Sequence, residues 1–223
     1  MKKLILLFAV AFNLNSNEFL TGSLVDYSGL IKMPNARFNN EGKVSFNYSR
    51  YDPYGKYVFQ FSPYDWFEGA LFYTDINSLG YPDFERGPGG MQSQKDKGFS
   101  LKARLFKEGE CYGLDYAFCE YLPNVAVGLV DFAGTSLTAS EYVVASKSFG
   151  RFDFTAGLGW GALGSTDNIG GNPLSILADR FDERGSGYSS GLMGGVPGVS
   201  TWFRGTTSVF GGVEYVIPKA RFY

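Results

Sequence analysis

The stretch from Ser140 to Gly161 constrains the fold more than any other part of the sequence. It divides at Gly150-Arg151 into two runs of similar length, and a glycine at the first position of a two-residue loop suits a β-hairpin turn. In the second run, FDFTAGLGWG, apolar residues alternate without interruption with small or polar ones. A strand of this length, apolar on one side and with aromatic residues at its ends, has the dimensions of a membrane-spanning β-strand. The hairpin therefore predicts an antiparallel sheet.

The same alternation recurs along the chain and predicts about eight strands. They cover residues 42–51, 56–61, 66–75, 97–106, 124–132, 140–149, 152–161 and 207–216. Counted alternately, the two longest connections, 76–96 and 162–206, fall at one end of the sheet together with 52–55 and 133–139. The other end receives 62–65, 107–123 and 150–151. Outer-membrane barrels have long loops at one end and short turns at the other, a pattern from which only 107–123 departs.

Charged residues lie on only one face of the predicted strands, opposite the aromatic residues. They are Glu68, Lys102, Arg104, Asp153 and Glu214. Near the middle of a bilayer, a lysine or arginine on the lipid side costs about 2 to 4 kcal/mol, so this face must line an interior. Both signs of charge occur, which favours a plugged, salt-bridged interior over an ion-selective pore.

The sequence therefore predicts an all-β fold: an antiparallel transmembrane outer-membrane β-barrel of about eight strands. A soluble β-sandwich is the alternative, since its strands alternate too, but it would hide a face of Val, Ile and Leu. Here that face is dominated by Phe, Tyr and Gly, and aromatic residues make up 17% of the chain. Either 42–51 pairs with 207–216 and closes the barrel, or a second polypeptide completes the wall as part of a larger barrel.

The N-terminus has the pattern of a secretory signal peptide over residues 1–16. Lys2-Lys3 precedes the apolar run Leu4 to Phe12, and a cleavage point after Ser16 fits the Asn-rich stretch that follows. A buried N-terminal strand or helix is the alternative. No cysteine follows the apolar run, so a lipid anchor is not expected. We divide the rest into a lead-in segment, 17–41, and a barrel domain, 42–223.

The chain has two cysteines, Cys111 and Cys119. In an oxidising periplasm they can close a short loop, and the alternative is two free thiols.

The residue types present exclude several classes of function. Histidine is absent, which removes Ser-His and Cys-His nucleophiles and His-ligated zinc. The net charge of −2 argues against a nucleic-acid-binding protein. The spaced glycines at 157–164 continue a strand and do not open a helix, so a nucleotide-binding loop is not expected. We therefore predict no catalytic, cofactor-binding or metal-binding residues, and a non-enzymatic protein.

Two parts of the longest loop are candidates for contact with saccharides. Asp179 and Arg180 begin a dense cluster of charge, DRFDER. The cluster can bind a sugar or a cation. The alternative is a solvated loop whose charged side chains pair with each other. Trp202 and Arg204 lie in WFRG, where the indole ring can stack on a sugar ring or can anchor the chain at a membrane interface.

Several long segments resemble YjbH-type outer-membrane proteins. They are GLIKMPNARF (29–38), SFNYSRYDPYGKYVFQFSPYDWFEGALFYTDI (45–76), KDKGFSLKARLFKE (95–108), VGLVDFAGT (127–135), SEYVVASKSFGRFDFTAGLGWGALGS (140–165), LSILADRF (174–181) and WFRGTTSVFGGVEY (202–215). Chains of that family are much longer, so the resemblance is to their N-terminal part. Residues 108–122, which include both cysteines, also look longer than the corresponding turn of the family.

The resemblance implies an outer-membrane β-barrel of a Gram-negative bacterium, associated with exopolysaccharide or capsule assembly and export. The implied partners are outer-membrane lipid, the polysaccharide and other products of an exopolysaccharide operon. The alternative is a small structural or adhesive barrel whose surface loops bind sugars. An outer-membrane enzyme is a weaker hypothesis, because the familiar hydrolases and acyltransferases of that membrane rely on histidine.

Overall fold

The computed structural model describes residues 29–80, 93–113, 119–185 and 197–217. The predicted signal peptide, the first part of the lead-in segment and the six C-terminal residues lie outside this range. The chain forms one sheet of eight antiparallel strands, each hydrogen-bonded to its neighbour in sequence. The strands are β1 (Lys43–Tyr51), β2 (Tyr54–Tyr64), β3 (Phe67–Gly80), β4 (Ser93–Phe106), β5 (Asn124–Val130), β6 (Ser140–Phe149), β7 (Phe152–Gly161) and β8 (Thr207–Tyr215).

Four short 3-10 helices lie in the described parts of the loop between β7 and β8, residues 162–185 and 197–206. They span Ala162–Gly164, Pro173–Ile176, Asp179–Phe181 and Val199–Thr201. No helix in the described part of the chain is both long and apolar enough to cross a membrane.

All eight predicted strands are present, but several of their ends differ from the predicted ones. β2 runs through the predicted turns on both sides, so that the turns shrink to Asp52-Pro53 and Asp65-Trp66. Pro63 is tolerated there because the β2–β3 register shifts between Phe61 and Tyr64, where a missing backbone N–H breaks no regular ladder bond. β3 and β4 extend beyond Asp75 and Lys97, since their paired polar residues continue the ladder.

β5 is shorter than predicted. It ends at Val130 because Asp131 takes a positive φ of 50° and turns the chain away from the sheet.

The two faces of the sheet differ sharply. The inner face carries Glu68, Lys102 and Asp153, which are all fully buried. The outer face carries most of the aromatic side chains of the strands, and Phe46, for example, is 66% exposed. This sheet therefore buries its charged face and exposes its aromatic one, the reverse of a soluble β-protein.

Residues 29–40 cover the inner face; we call this part the lead-in strap. The Leu30 side chain lies against Gly212 of β8, and the Ala36 N–H donates to Ser146 Oγ of β6 at 2.9 Å. Near the opposite edge of the sheet, Lys32 Nζ lies 4.3 Å from the centre of the Tyr51 ring, at the end of β1. The strap is thus in contact with strands from both edges.

A buried apolar cluster forms between the strap and the inner face. Ala36 and Phe38 of the strap pack with residues from four strands: Val58, Ala70, Phe72, Ala126, Val130, Tyr142 and Val144. A segment without any regular period therefore supplies part of the core around which the sheet is arranged.

The sheet is not closed. Among the described residues, β1 pairs only with β2, and β8 pairs only with β7. The pairing of 42–51 with 207–216, one of the two arrangements expected from the sequence, is therefore absent. Part of the β8 edge is covered: the Asn168 side chain donates to the Val209 carbonyl at 2.9 Å and accepts from the Val209 N–H at 2.8 Å.

Candidate functional site

Arg37 of the strap is the centre of an ion-pair network on the inner face. Its Nη1 lies 2.6 Å from Glu108 Oε2, and its Nε donates to Asp153 Oδ2 at 2.9 Å. Its Nη2 donates to the second oxygen of Asp153. The Asp153 side chain of β7 is completely excluded from solvent. One guanidinium therefore neutralises two carboxylates that come from β7 and from the connection after β4.

Glu108 extends this network towards β6. Its Oε1 lies 3.0 Å from Lys147 Nζ and accepts a hydrogen bond of 2.8 Å from Ser148 Oγ. Partial burial alone raises the pKa of the Glu108 carboxyl, but the hydrogen bonds from Arg37, Lys147 and Ser148 outweigh it. They hold the pKa of this carboxyl below its ordinary value of 4.5. The folded state therefore favours the charged form of Glu108.

This lowered pKa predicts loss of stability in acid. A carboxyl whose pKa is lower in the folded than in the unfolded chain stabilises the fold above pH 4.5, and this stabilisation is lost as the pH falls through the folded-state value. We expect the thermal unfolding midpoint of the protein in detergent micelles to decrease when the pH is lowered below 4.5. Glu108→Gln should be less stable at neutral pH and should show a smaller acid-induced decrease. An equal decrease in the variant would contradict this assignment.

A second, fully buried ion pair joins Lys102 and Glu68. Lys102 Nζ lies 2.9 Å from Glu68 Oε2, and neither side chain is exposed. Each partner also binds the strap: Lys102 donates to the Arg37 carbonyl at 2.6 Å, and Glu68 Oε1 accepts from the Asn39 N–H at 2.5 Å. The charges of β3 and β4 therefore hold the strap by its backbone.

The other inward charges predicted from the sequence lie close to the same strap. Arg104 Nη1 is 3.4 Å from Asp65 Oδ2, and its guanidinium lies 4.5 Å from the centre of the Phe38 ring. Glu214 accepts a long hydrogen bond of 3.5 Å from Asn35 Nδ2. All five of these charges thus contact the strap or a residue bonded to it.

At the end of the sheet that carries the long loop between β7 and β8, Glu141 of β6 holds this loop in place. The Arg184 guanidinium donates to both oxygens of Glu141, at 2.6 and 2.9 Å, and the Phe203 N–H donates to Oε2 at 3.0 Å. Arg184 belongs to the charge cluster DRFDER. The interpretation of that cluster as a loop that pairs with itself is therefore wrong for this arginine, since its partner is a strand residue.

Asn172 organises the same loop. Its Oδ1 accepts from Trp160 Nε1 at 3.1 Å, and its Nδ2 donates to the carbonyls of Phe181 and Phe203 at 2.8 and 2.9 Å. The Asn172 residue is buried, and so is Trp160 at the end of β7. One carboxamide therefore joins a strand to two distant parts of the loop.

The four candidate saccharide-contacting residues lie in two segments that the structure places side by side, where the Gly205 N–H donates to the Phe181 carbonyl at 2.9 Å. Asp179 and Arg180 are exposed, whereas Trp202 and Arg204 are half-buried. The Trp202 ring packs edge-on against Phe132 at 6.4 Å, so part of its surface is already occupied. No cluster of metal-ligating side chains occurs within the described ranges.

Sequence reasoning missed Arg37, Glu108, Glu141, Asn172 and Arg184 as organising residues. Only Arg37 carried a local signal, as a lone charge in the apolar and amide-rich run MPNARF. The side-chain partners of Arg37, Glu108, Glu141 and Arg184 are remote in sequence, and those of Asn172 are scattered over an irregular loop and the end of β7. The alternation of a strand also says nothing about what covers its faces.

Cys111 and Cys119 are joined by a disulfide, with Cα atoms 4.8 Å apart. The bond lies in the connection between β4 and β5, beside the segment that supplies Glu108.

Comparison with known proteins supports the resemblance seen in the sequence. The YjbH family model, described as "Exopolysaccharide biosynthesis protein YbjH", matches residues 23–223. The protein named "Uncharacterized lipoprotein YjbH" from Escherichia coli (strain K12) is 42% identical over 190 residues, which cover 85% of this chain and 25% of that relative. The chain thus spans about a quarter of the length of this relative. No solved structure matches. The chain belongs to the YjbH exopolysaccharide biosynthesis family.

Proposed function

We propose that the chain forms part of an outer-membrane β-barrel wall that acts, without catalysing a reaction, in exopolysaccharide or capsule assembly and export in a Gram-negative bacterium. The observation that carries this proposal is the inverted sheet, whose charged face is buried and whose aromatic face is exposed. Water does not favour such an arrangement, and a bilayer does. Membership of the family supplies the link to exopolysaccharide.

Tyrosine and tryptophan side chains at both ends of the first strands of the outer face support this proposal. By register, Tyr48, Tyr57 and Tyr73 lie side by side on β1, β2 and β3 near the long-loop end. Their ring centres are 4.7 and 6.4 Å apart, and we call them the tyrosine row. At the other end, Tyr64 stacks on Trp66 at 5.6 Å. Tyrosine and tryptophan favour the two interfaces of a membrane, where a ring can be apolar at one end and hydrated at the other.

Seven of the eight described strands contain 9 to 14 residues and are long enough to cross, whereas β5 contains 7. A membrane-spanning strand needs about 9 to 11 residues, and β6 and β7 each contain 10. Outward side chains between these tyrosine and tryptophan residues are apolar, among them Phe46, Phe59, Leu71 and Phe99. The strap, the apolar cluster and the ion pairs occupy the inner face, which favours a structural role over an open pore for this part of the wall.

The open edges of the sheet at β1 and β8 favour the presence of further strands. In lipid, each backbone group without a partner costs several kcal/mol, so a membrane sheet must close or be completed. β1 and β8 do not pair with each other. The relative from Escherichia coli is about four times as long as the matched part. We therefore propose that strands from outside the described chain, such as those of a second polypeptide, complete the wall, and that Asn168 restricts where such a strand joins β8.

A clean deletion of the gene tests this function. We expect secreted exopolysaccharide to fall in the deletion strain and to return when the gene is supplied again. The protein should sediment with outer membranes, resist extraction by carbonate and migrate differently on gels before and after heating, because a membrane sheet keeps its backbone bonds internal. Recovery as a soluble periplasmic protein, or unchanged exopolysaccharide, would contradict the proposal.

The second candidate is a barrel whose surface loop binds sugars. It is favoured by the adjacency of the segments that hold Arg180 and Arg204, both of which lie in the long loop. In this case the deletion would reduce attachment to surfaces and leave exopolysaccharide secretion unchanged. The same deletion strain therefore separates the two candidates.

A further inference from the structure

A group of cations lies on the outer face, level with the tyrosine row and just beyond it towards the long loops; we call it the cation patch. Register places Arg50 on β1 level with Gly55, Asp75 and Lys95 on the next three strands. Lys97 lies level with Tyr73 of the tyrosine row. All of these side chains point outwards, because they keep the strand parity of exposed neighbours such as Tyr48, Tyr73 and Phe99.

The group has a net positive charge. Lys95 Nζ lies 2.6 Å from Asp75 Oδ1, and Ser93 Oγ donates to the same oxygen at 2.5 Å. The carboxylate is therefore already engaged by Lys95, while the Arg50 and Lys97 residues are exposed. Three cations stand against Asp75 and against Asp52, which is exposed in the β1–β2 turn, so the net charge stays positive. Asp75 fixes the position of Lys95.

The opposite end of the outer face does not repeat this pattern. There Lys107 Nζ lies 2.9 Å from Glu110 and 3.8 Å from Asp65, so acidic groups balance it. Arg151 is exposed in the β6–β7 turn. The concentration of outward cations is thus a property of the long-loop end.

We propose that Arg50, Lys95 and Lys97 bind the phosphate of a lipid headgroup in the membrane leaflet next to the long loops. This inference rests on the proposed function, since it requires the outer face to contact lipid. Tyrosine rings mark the depth at which headgroups begin, and cations immediately beyond them meet the phosphates. Arginine binds phosphate through two parallel hydrogen bonds and lysine through a point charge.

The spacing suits one headgroup held between several strands. Neighbouring strands lie about 4.8 Å apart, so the Arg50 and Lys95 backbones are separated by about 14 Å. Long side chains at both positions can extend towards each other along the outer face and reach one phosphate-bearing group. The Asp75 carboxylate orients Lys95.

The test compares two variants with the same change in charge. Arg50→Gln/Lys97→Gln removes the two exposed cations of the patch, and Lys107→Gln/Arg151→Gln removes two from the other end. Lys95 is retained so that Asp75 keeps its partner. Each full-length protein is reconstituted in vesicles of phosphatidylglycerol and phosphatidylcholine, and the phosphatidylglycerol that stays bound is counted by native mass spectrometry.

We expect the patch variant to retain phosphatidylglycerol roughly tenfold more weakly, and the control variant to resemble the unmodified protein. Equal loss in both variants, or no loss in either, would overturn the proposal. Displacement of the lipid by millimolar inorganic phosphate would also overturn it, because it would indicate a site for soluble anions. Membrane insertion is measured on the same samples: failure of the unmodified protein to insert would refute the proposed function, whereas insertion with unchanged lipid retention refutes only this inference.

Discussion

Replacing Arg37 with methionine should destabilise the fold by about 3 to 5 kcal/mol, because it leaves two carboxylates without their shared counter-charge. Asp153 would then be a fully buried anion whose two hydrogen bonds from the guanidinium are lost. Glu108 would keep Lys147, at 3.0 Å, so the larger penalty falls on Asp153. The measurement is the thermal or urea midpoint of the folded-to-unfolded gel shift in detergent micelles.

Arg151→Met is the matched control for this experiment. Arg151 is exposed in the two-residue turn beside β7, and its loss should change stability by no more than about 0.5 kcal/mol. Arg37→Met/Asp153→Asn should recover part of the loss, since a neutral amide needs no counter-charge. If Arg37→Met is as stable as the control, the strap is not held by this ion pair.

Lys102→Met should have an effect of similar size. The pair with Glu68 is fully buried at 2.9 Å, and removal of one partner from such a pair typically costs about 3 to 5 kcal/mol. The change also removes the hydrogen bond to the Arg37 carbonyl. The same gel-shift midpoint measures the loss.

A second substitution shows whether charge or packing is responsible. Adding Glu68→Gln to Lys102→Met removes the unpaired anion. The Gln oxygen can still accept the hydrogen bond that the Asn39 N–H donates to Glu68 in the unmodified protein. The double variant should therefore be more stable than Lys102→Met alone. If it is less stable, the loss comes from packing around the lysine stem and not from the buried charge.

The strands and their faces could be predicted because the signal is local. An alternation of period two fixes which side chains share a face, and the hairpin at Gly150-Arg151 fixes its own register. The ends of the strands could be predicted less accurately. Pro63 and Tyr64 read as a turn, yet a shift in register lets β2 continue past the proline.

The strap could not be predicted from its own sequence. Residues 29–40 have no period, and their role depends on partners that lie 110 residues away for Ala36 and 116 for Arg37. The mixed charges predict a plugged interior, but no pattern in the sequence connects that interior with the lead-in segment. The same reason hid Asn172, whose partners are spread over the long loop.

The position of the strap also has a consequence for the order of folding. It precedes every described strand, yet its residues contact strands as late as β8, with Asn35 and Glu214 separated by 179 positions. Contacts of such long range slow folding, because the entropy of loop closure must be overcome before the contacts form. The contacts of the strap with β8 can therefore form only after the last described strand has been made, although the strap itself comes first in the described chain.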